Sequence, residues 1–170
     1  MNLSEIRERA IAPALALLPA RMNSPEAQIM LLAIGLQESQ FVHRRQLGGG
    51  PARSFWQGER GGGMVHGVRT HEATDQYAAL LYVARGVEPN NEAIWKAVEH
   101  DDVLASGLAR LLLWSDPLPL PETHEVEEAL GLYLRTWRPG AYTRGTEEER
   151  AELEAKWRRN FAAAVREVVR

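Results

Sequence analysis

The segment from Ile29 to Leu36 reads Ile-Met-Leu-Leu-Ala-Ile-Gly-Leu, without one polar residue. Ser24, Pro25 and Glu26 precede it, and they suit the N-cap, the first helical position and the acid-favouring first turn of a helix. The spacing predicts a helix from about residue 25 to Ser39. A surface helix keeps a polar face, but here apolar residues cover nearly the whole circumference. Such a helix has to be enclosed on every side. The run is far shorter than the roughly 20 apolar residues that cross a bilayer, so the enclosure must come from the rest of the chain.

The remaining sequence supplies helices for that purpose. Residues 3 to 18 carry apolar positions at Ile6, Ala10, Ile11, Leu15 and Leu18, with Pro13 expected to kink or split the segment. A helix is expected from Thr70 to about 85, stopped by Gly86 in the left-handed conformation. Asn91 is read as the cap of the next, and Asp101 or Asp102 as the cap of one containing Leu104, Leu108 and Leu111. After the proline-rich stretch from Asp116 to Pro121, another helix should run from about Thr123 to Trp137. The last opens on a capping box, Thr146 with Glu149, and carries Leu153, Trp157 and Phe161 on one stripe. No segment alternates as a strand should. The expectation is an all-α fold, α+β at most, in a single domain over residues 1 to 170.

One segment departs from this regularity. Between Arg45 and Thr70 lie Gly48-Gly49-Gly50-Pro51, Gly58, Gly61-Gly62-Gly63 and Gly67, too many glycines for a continuous helix. The stretch is longer than an ordinary connector, yet Phe55, Trp56, Met64 and Val65 are too apolar for a disordered one. It is expected to be an ordered loop or short hairpin, folded over the end of the central helix and bringing aromatic groups and Gln57 toward Glu38.

Composition narrows the functional classes. With 170 residues, 45% of them hydrophobic, the chain can bury one sizeable core. The net charge of −3 gives no overall attraction to nucleic acid or anionic lipid, and the absence of cysteine removes disulfides and thiolate metal sites. The five histidines lack close ligand spacing with a third donor. The triple glycines lack the Gly-Lys-Ser/Thr of a phosphate cradle. No cofactor and no metal is expected. The amino terminus is charged where a signal peptide would be apolar, so synthesis in a cytoplasm without an export signal is expected.

Glu38 is the residue with the clearest chemical potential. A carboxyl group at the end of a buried helix has its anion disfavoured twice, by burial and by the partial negative charge of the helix terminus. A carboxylic acid whose pKa is raised in this way can protonate a glycosidic oxygen near neutral pH. The apolar helix, Gln37-Glu38-Ser39, Phe41, and then Gly50-Pro51-Ala52-Arg53-Ser54-Phe55-Trp56-Gln57 resemble the lysozyme-like superfamily, specifically soluble lytic transglycosylases and goose-type lysozymes. The signatures are similar to those of small phage and prophage proteins, and the strong likeness covers about residues 24 to 68. The sequence departs from the family pattern in two places. Ser54 stands where glycine is usual, and Leu134 follows Tyr133 where the family has Asn.

The resemblance implies a lysozyme-like domain that cleaves the bond between N-acetylmuramic acid and N-acetylglucosamine in peptidoglycan, with Glu38 catalytic. Ser39, Gln57 and Tyr133 are its candidate supporting groups, with Phe55, Trp56 and Arg53 as candidate substrate contacts. In a hydrolase a second carboxylate, or a group of the substrate, must position water, and Glu59 is the first candidate carboxylate by sequence, with Glu72 or Asp75 as further ones. None has a matching motif, which favours a transglycosylase with one acid. The partners implied are peptidoglycan strands and other virion proteins, with no specific nucleic acid and no transmembrane segment. Delivery in a virion or release through a holin would bring the protein to the periplasm and cell wall. The alternative is a catalytically inactive virion or prophage protein that keeps the fold for binding or assembly.

Plainer roles exist for the same residues. Ser39 can satisfy a helix-end carbonyl, Phe55 and Trp56 can seal the loop against the core, and Gln57 can bond loop backbone. Glu59 and Arg60 read as an exposed charge pair, and His71 with Asp75 as a surface pair. Trp95, Trp114, Trp137 and Trp157 read as packing residues. Arg44, Arg45, Arg53 and Arg60 form a basic cluster that faces peptidoglycan carboxylates, nucleic acid or, by default, solvent.

Overall fold

Ser24 starts the central helix by accepting a hydrogen bond from the Ala27 amide at 3.1 Å, with Pro25 at the first helical position. In the computed structural model, which describes all 170 residues, this helix spans Pro25–Ser39 and ends at Gln40, whose φ of 54° turns the chain away. Residues 29 to 34 are each at most 1% exposed, so the helix is enclosed as its sequence demands.

The chain is all-helical and has no strand. We number the helices α1 (residues 3 to 16), α2 (Pro25–Ser39), α3 (residues 63 to 70), α4 (Asp75–Arg85), α5 (Asn91–Ala97), α6 (Asp102–Trp114), α7 (Val126–Trp137) and α8 (Glu147–Val168). Single helical turns at Ala20–Met22 and Gly140–Thr143 join their neighbours. One cluster of 38 buried residues draws on every helix from α1 to α8 except the ends exposed to solvent.

Pro13 does not split α1. The helix widens over Arg7–Ile11, where the Ala12 amide reaches back five residues to the Arg7 carbonyl, and then continues as Ala12–Ala16. The wide turn moves the register just where proline has no N–H to offer. Other starts shift by a few residues. Thr70 does not open α4, because His71 is extended at ψ 132° and the Thr74 hydroxyl donates to the Val68 carbonyl at 2.7 Å. His71 and Asp75 consequently form no pair, and the His71 Nδ1 accepts from the Ala73 amide instead. Asn90, not Asn91, caps α5, and α7 begins at Val126 rather than Thr123. The Asp101 cap, the Gly86 stop and the Thr146–Glu149 capping box are present as expected.

The long helix α8 lies along α2 and is fastened to its end. The Gln37 amide donates to the Leu153 carbonyl and accepts from Asn160 at 2.8 Å, while the Lys156 ammonium donates to the Gln37 carbonyl at 2.6 Å. Helix α7 joins them through a stack of Tyr133 on Trp157, with ring centroids 4.8 Å apart and planes at 10°.

The glycine-rich segment is an ordered double-back. Ser54 donates to the Arg44 carbonyl and Gln46 to the Ala52 carbonyl, both at 2.9 Å, and Arg53 and Gly58 exchange two bonds. The anticipated hairpin is thus reduced to isolated antiparallel bridges, Arg45 with Arg53 and Arg53 with Gly58. At its tip Gly48 and Gly49 take φ of +80° and +83°, which L side chains rarely adopt.

Close approach to α2 fixes the loop. Phe41 lies with its ring against Gly35, and a Cβ at Gly35 would overlap it. The ring cannot yield easily, because it packs edge-on to both Phe55 and Trp56, at 5.6 and 5.7 Å between centroids. Gly35→Ala is expected to destabilise the fold by about 1–3 kcal/mol, the overpacking cost outweighing alanine's better helix propensity. Denaturant unfolding checks this, and a neutral or stabilising result would mean the Phe41 contact is not tight.

Candidate active site

Three consecutive polar residues end α2, and each faces a different partner, as an advance of about 100° per residue requires. Gln37 turns into α8. Ser39 turns into the loop, where its hydroxyl donates to the Phe55 carbonyl at 2.7 Å, lies 3.1 Å from the Gly35 carbonyl and accepts from the Phe41 amide. Glu38, between them, is half-buried and opens into a cleft of about 1070 Å³.

The Tyr133 hydroxyl donates to Glu38 Oε1 at 2.7 Å, across 95 residues of sequence. Burial is the strongest influence on the Glu38 carboxyl and lifts its pKa from 4.5 to about 7, against the opposing pull of the Tyr133 hydrogen bond and the Lys156 charge. Tyr133 itself is 2% exposed, and burial with the neighbouring Glu38 charge holds its hydroxyl well above its ordinary pKa. It therefore keeps its proton and acts as a fixed donor to Oε1. Lys156 is made less basic, chiefly by burial, with Glu38 opposing. The site thus holds a carboxyl group that is half-protonated near neutrality, with one oxygen tied to tyrosine and Oε2 left for a ligand.

The cleft runs between the glycine-rich loop on one side and the end of α7 with the following turn on the other. Gln57, Glu59 and Met64 line the first wall, and Arg135, Trp137 and Arg138 the second. Trp137 is half-buried, stacks at 6.5 Å and 30° on Tyr133, and donates from its indole to the Trp56 carbonyl at 2.9 Å. Only 6 of the 25 lining residues are hydrophobic, so the cleft suits a hydroxyl-rich ligand better than an apolar one.

Several residues singled out in the sequence lie elsewhere. Phe55 and Trp56 are 3% and 0% exposed and belong to the core. The Trp56 indole donates to the Leu31 carbonyl of α2 at 2.9 Å, and Phe55 carries the Arg44 guanidinium at 4.2 Å, so neither offers a ring face to a sugar in this conformation. Arg53 lies over Trp95 at 3.5 Å and pairs with Glu99 at 3.4 Å, away from the cleft. The wider basic cluster is likewise engaged: Arg44 grips Asp102 with two bonds, Arg45 bonds Glu99 at 2.7 Å, and Arg60 pairs with Glu92 rather than Glu59. These contacts fasten the loop to the α5–α6 region, with Arg44 and Arg53 largely covered and Arg45 and Arg60 still exposed to solvent. Gln57 does line the cleft, but its amide donates to the Ser54 carbonyl at 2.7 Å, a loop-bracing bond. Glu59 is exposed on the cleft rim, while Glu72 and Asp75 do not line it.

Sequence reasoning missed Trp137 and Lys156 as members of the site. Trp137 follows Tyr133 by four residues, so both share one face of α7, and that spacing was a usable signal. Nothing local marks Lys156, which reaches the site only because α8 lies along α2.

Glu38 has a stability consequence. Its folded pKa stands above its unfolded value, so the folded state holds the proton more tightly between about pH 4.5 and 7. The corresponding stabilisation is complete below the unfolded value and is lost as pH rises through about 7. Glu38→Gln, which stays neutral, is expected to match the wild type at pH 4 and to exceed it at pH 8 by on the order of 1–3 kcal/mol. Unfolding midpoints at the two pH values check this, and an equal difference at both would deny the raised pKa. No protein-family model, no curated protein and no solved structure matches this chain, so its chemistry has to be read from these residues.

Proposed function

We propose that this protein cleaves the glycosidic bond between N-acetylmuramic acid and N-acetylglucosamine in peptidoglycan, as a lytic transglycosylase with Glu38 as its general acid and base. The observation that carries the reading is a carboxyl group with a pKa near 7, hydrogen-bonded by Tyr133 and opening into a polar cleft. General acids for glycosidic oxygens need that combination of a held proton and an open face. The Gln37-Glu38-Ser39 and Gly50 to Gln57 signatures support the same reading, and they carry the proposal of a phage or prophage origin with delivery by virion or holin.

In the first step the proton on Glu38 Oε2 passes to the bridging oxygen as the C1–O bond of the muramic residue breaks. Glu38, now a carboxylate, takes the proton of that sugar's own C6 hydroxyl as O6 bonds to C1, giving a 1,6-anhydro end and restoring the acid. No water is consumed. Tyr133 remains hydrogen-bonded to Oε1 throughout and fixes which oxygen exchanges the proton. Trp137 offers the half-buried aromatic surface on which a sugar ring can rest.

Hydrolysis is the variant, with Glu59 as the carboxylate to position water. Asp116, the other carboxylate in the cleft, is clamped by Arg135 through bonds of 2.9 and 3.2 Å. The competing reading is a non-enzymatic virion or prophage component. Its support is that Arg53, Phe55 and Trp56 are engaged inside the fold, leaving few preformed sugar contacts.

Digestion of purified peptidoglycan followed by mass spectrometry of the muropeptides separates the three. Products lighter by one water are expected from wild type, and Glu38→Gln is expected to lose activity by about 10²–10⁴-fold. Reducing-end products would establish hydrolysis instead. Binding without any product would favour the non-enzymatic reading.

A further inference from the structure

The cleft is more basic than the protein around it. The whole chain carries a net charge of −3, yet four arginines line the cleft, Arg45, Arg135, Arg138 and Arg144, against three carboxylates, Glu38, Glu59 and Asp116. Two of those arginines are neutralised by partners already described, Arg45 by Glu99 and Arg135 by Asp116. Glu38 is half-protonated near neutrality. Arg138 and Arg144 are exposed, belong to no ion pair, and stand on the same wall in the turn that links α7 to α8.

The turn is built to present them. Arg138 ends α7 in the left-handed conformation, with φ 48°, and bonds the Arg135 carbonyl from its Nε at 3.4 Å, leaving its terminal nitrogens free. The Arg144 guanidinium folds back across Gly140, where an added Cβ would come within 2.6 Å of it. At Gly145 an added Cβ would overlap the Ala141 carbonyl, so the chain can reverse there only without a side chain. Glu149, just beyond the turn, is spent on the amide of Thr146 at 2.7 Å as part of the α8 capping box.

Two unpaired guanidinia on one wall of a sugar-sized cleft call for carboxylates on the ligand, because each can take a carboxylate through paired N–H donors. We propose that Arg138 and Arg144 form a carboxylate-reading subsite, which makes the cleft select glycan strands bearing pendant carboxylates over neutral strands of the same length. This rests on the reading of the cleft as a glycan site. The carboxylates of a peptidoglycan strand have two sources, the stem peptides and, where these are removed, the lactyl groups of the muramic residues. Both offer the chemistry that the two arginines recognise.

The test uses full-length Glu38→Gln protein, in which strands are bound without being cut. Equilibrium binding is measured for neutral chitin oligosaccharides, amidase-stripped glycan strands and peptide-bearing strands of matched length. Tighter binding of one or both anionic strands is expected, by about fivefold to tenfold for two exposed ion pairs, with the preference shrinking as salt is raised. The two anionic arms identify which source is read. Adding Arg138→Ala and Arg144→Ala should bring the ratio of anionic to neutral binding close to one, and the double lysine variant, which keeps the charges without the paired donors, should restore the salt-sensitive part of it. Equal binding of neutral and anionic strands, no binding of either, or a ratio unchanged by the alanine substitutions would overturn the subsite. Loss that lysine fails to recover would do the same, by assigning the arginines a packing role. Cleavage by the wild-type protein without discrimination would remove the subsite alone, whereas carboxylate-dependent binding with no cleavage would remove the enzymatic reading alone.

Discussion

The enclosure of α2 is the constraint on which the rest of the structure depends. A helix with no polar face gains from burial on all sides, so α1, α6 and α8 pack around it, and the glycine-rich loop closes over its end. Enclosure has a consequence at the carboxyl terminus, where polar residues must begin while the helix is still inside. Gln37, Glu38 and Ser39 meet that condition one after another. Gln37 and Ser39 are satisfied by α8 and by the loop. Glu38 receives a single hydrogen bond and an opening to the cleft.

The balance of forces at Glu38 decides its chemistry. Burial penalises the anion, while Tyr133 and Lys156 favour it, and burial prevails. With the tyrosine and lysine contributions much stronger, the group would be an ordinary carboxylate and a poor proton donor at neutral pH. With neither, it would hold its proton too tightly to give it up to the bridging oxygen. The support is itself buried: Tyr133 is sandwiched between Trp157 and Trp137, so its hydroxyl cannot swing away from Glu38 without breaking two aromatic contacts. Core packing and site geometry are therefore one arrangement.

Much of this was legible in the residues, and the pattern of success has a physical basis. The Ser24 and Asp101 caps, the Gly86 stop and the Thr146–Glu149 box depend on side chains bonding backbone a few residues away, which a short window of sequence contains. The all-round burial of α2 followed from composition alone. Phe55, Trp56 and Arg53 turn away from the cleft, because aromatic residues beside a helix end serve a core as readily as a ligand, and Arg53 is drawn to Trp95 and Glu99 from distant sequence. The basic cluster could not be seen to be paired, since its partners Glu92, Glu99 and Asp102 lie 32 to 58 residues further on. Lys156 and the Arg138–Arg144 wall enter the site through the way α7 and α8 are laid against α2, which no local motif records.

Glu38 is proposed to act from its protonated form, with a pKa near 7 in which burial outweighs the Tyr133 hydrogen bond. The most direct measurement is the pH dependence of kcat/KM on purified peptidoglycan, for wild type and Tyr133→Phe. Activity should fall as pH rises through about 7 in the wild type, and the fall should move to higher pH in the variant, which lacks the hydrogen bond that favours the anion. A rate that is flat through neutrality, or that changes only around the ordinary carboxyl value of 4.5, would contradict this role for Glu38.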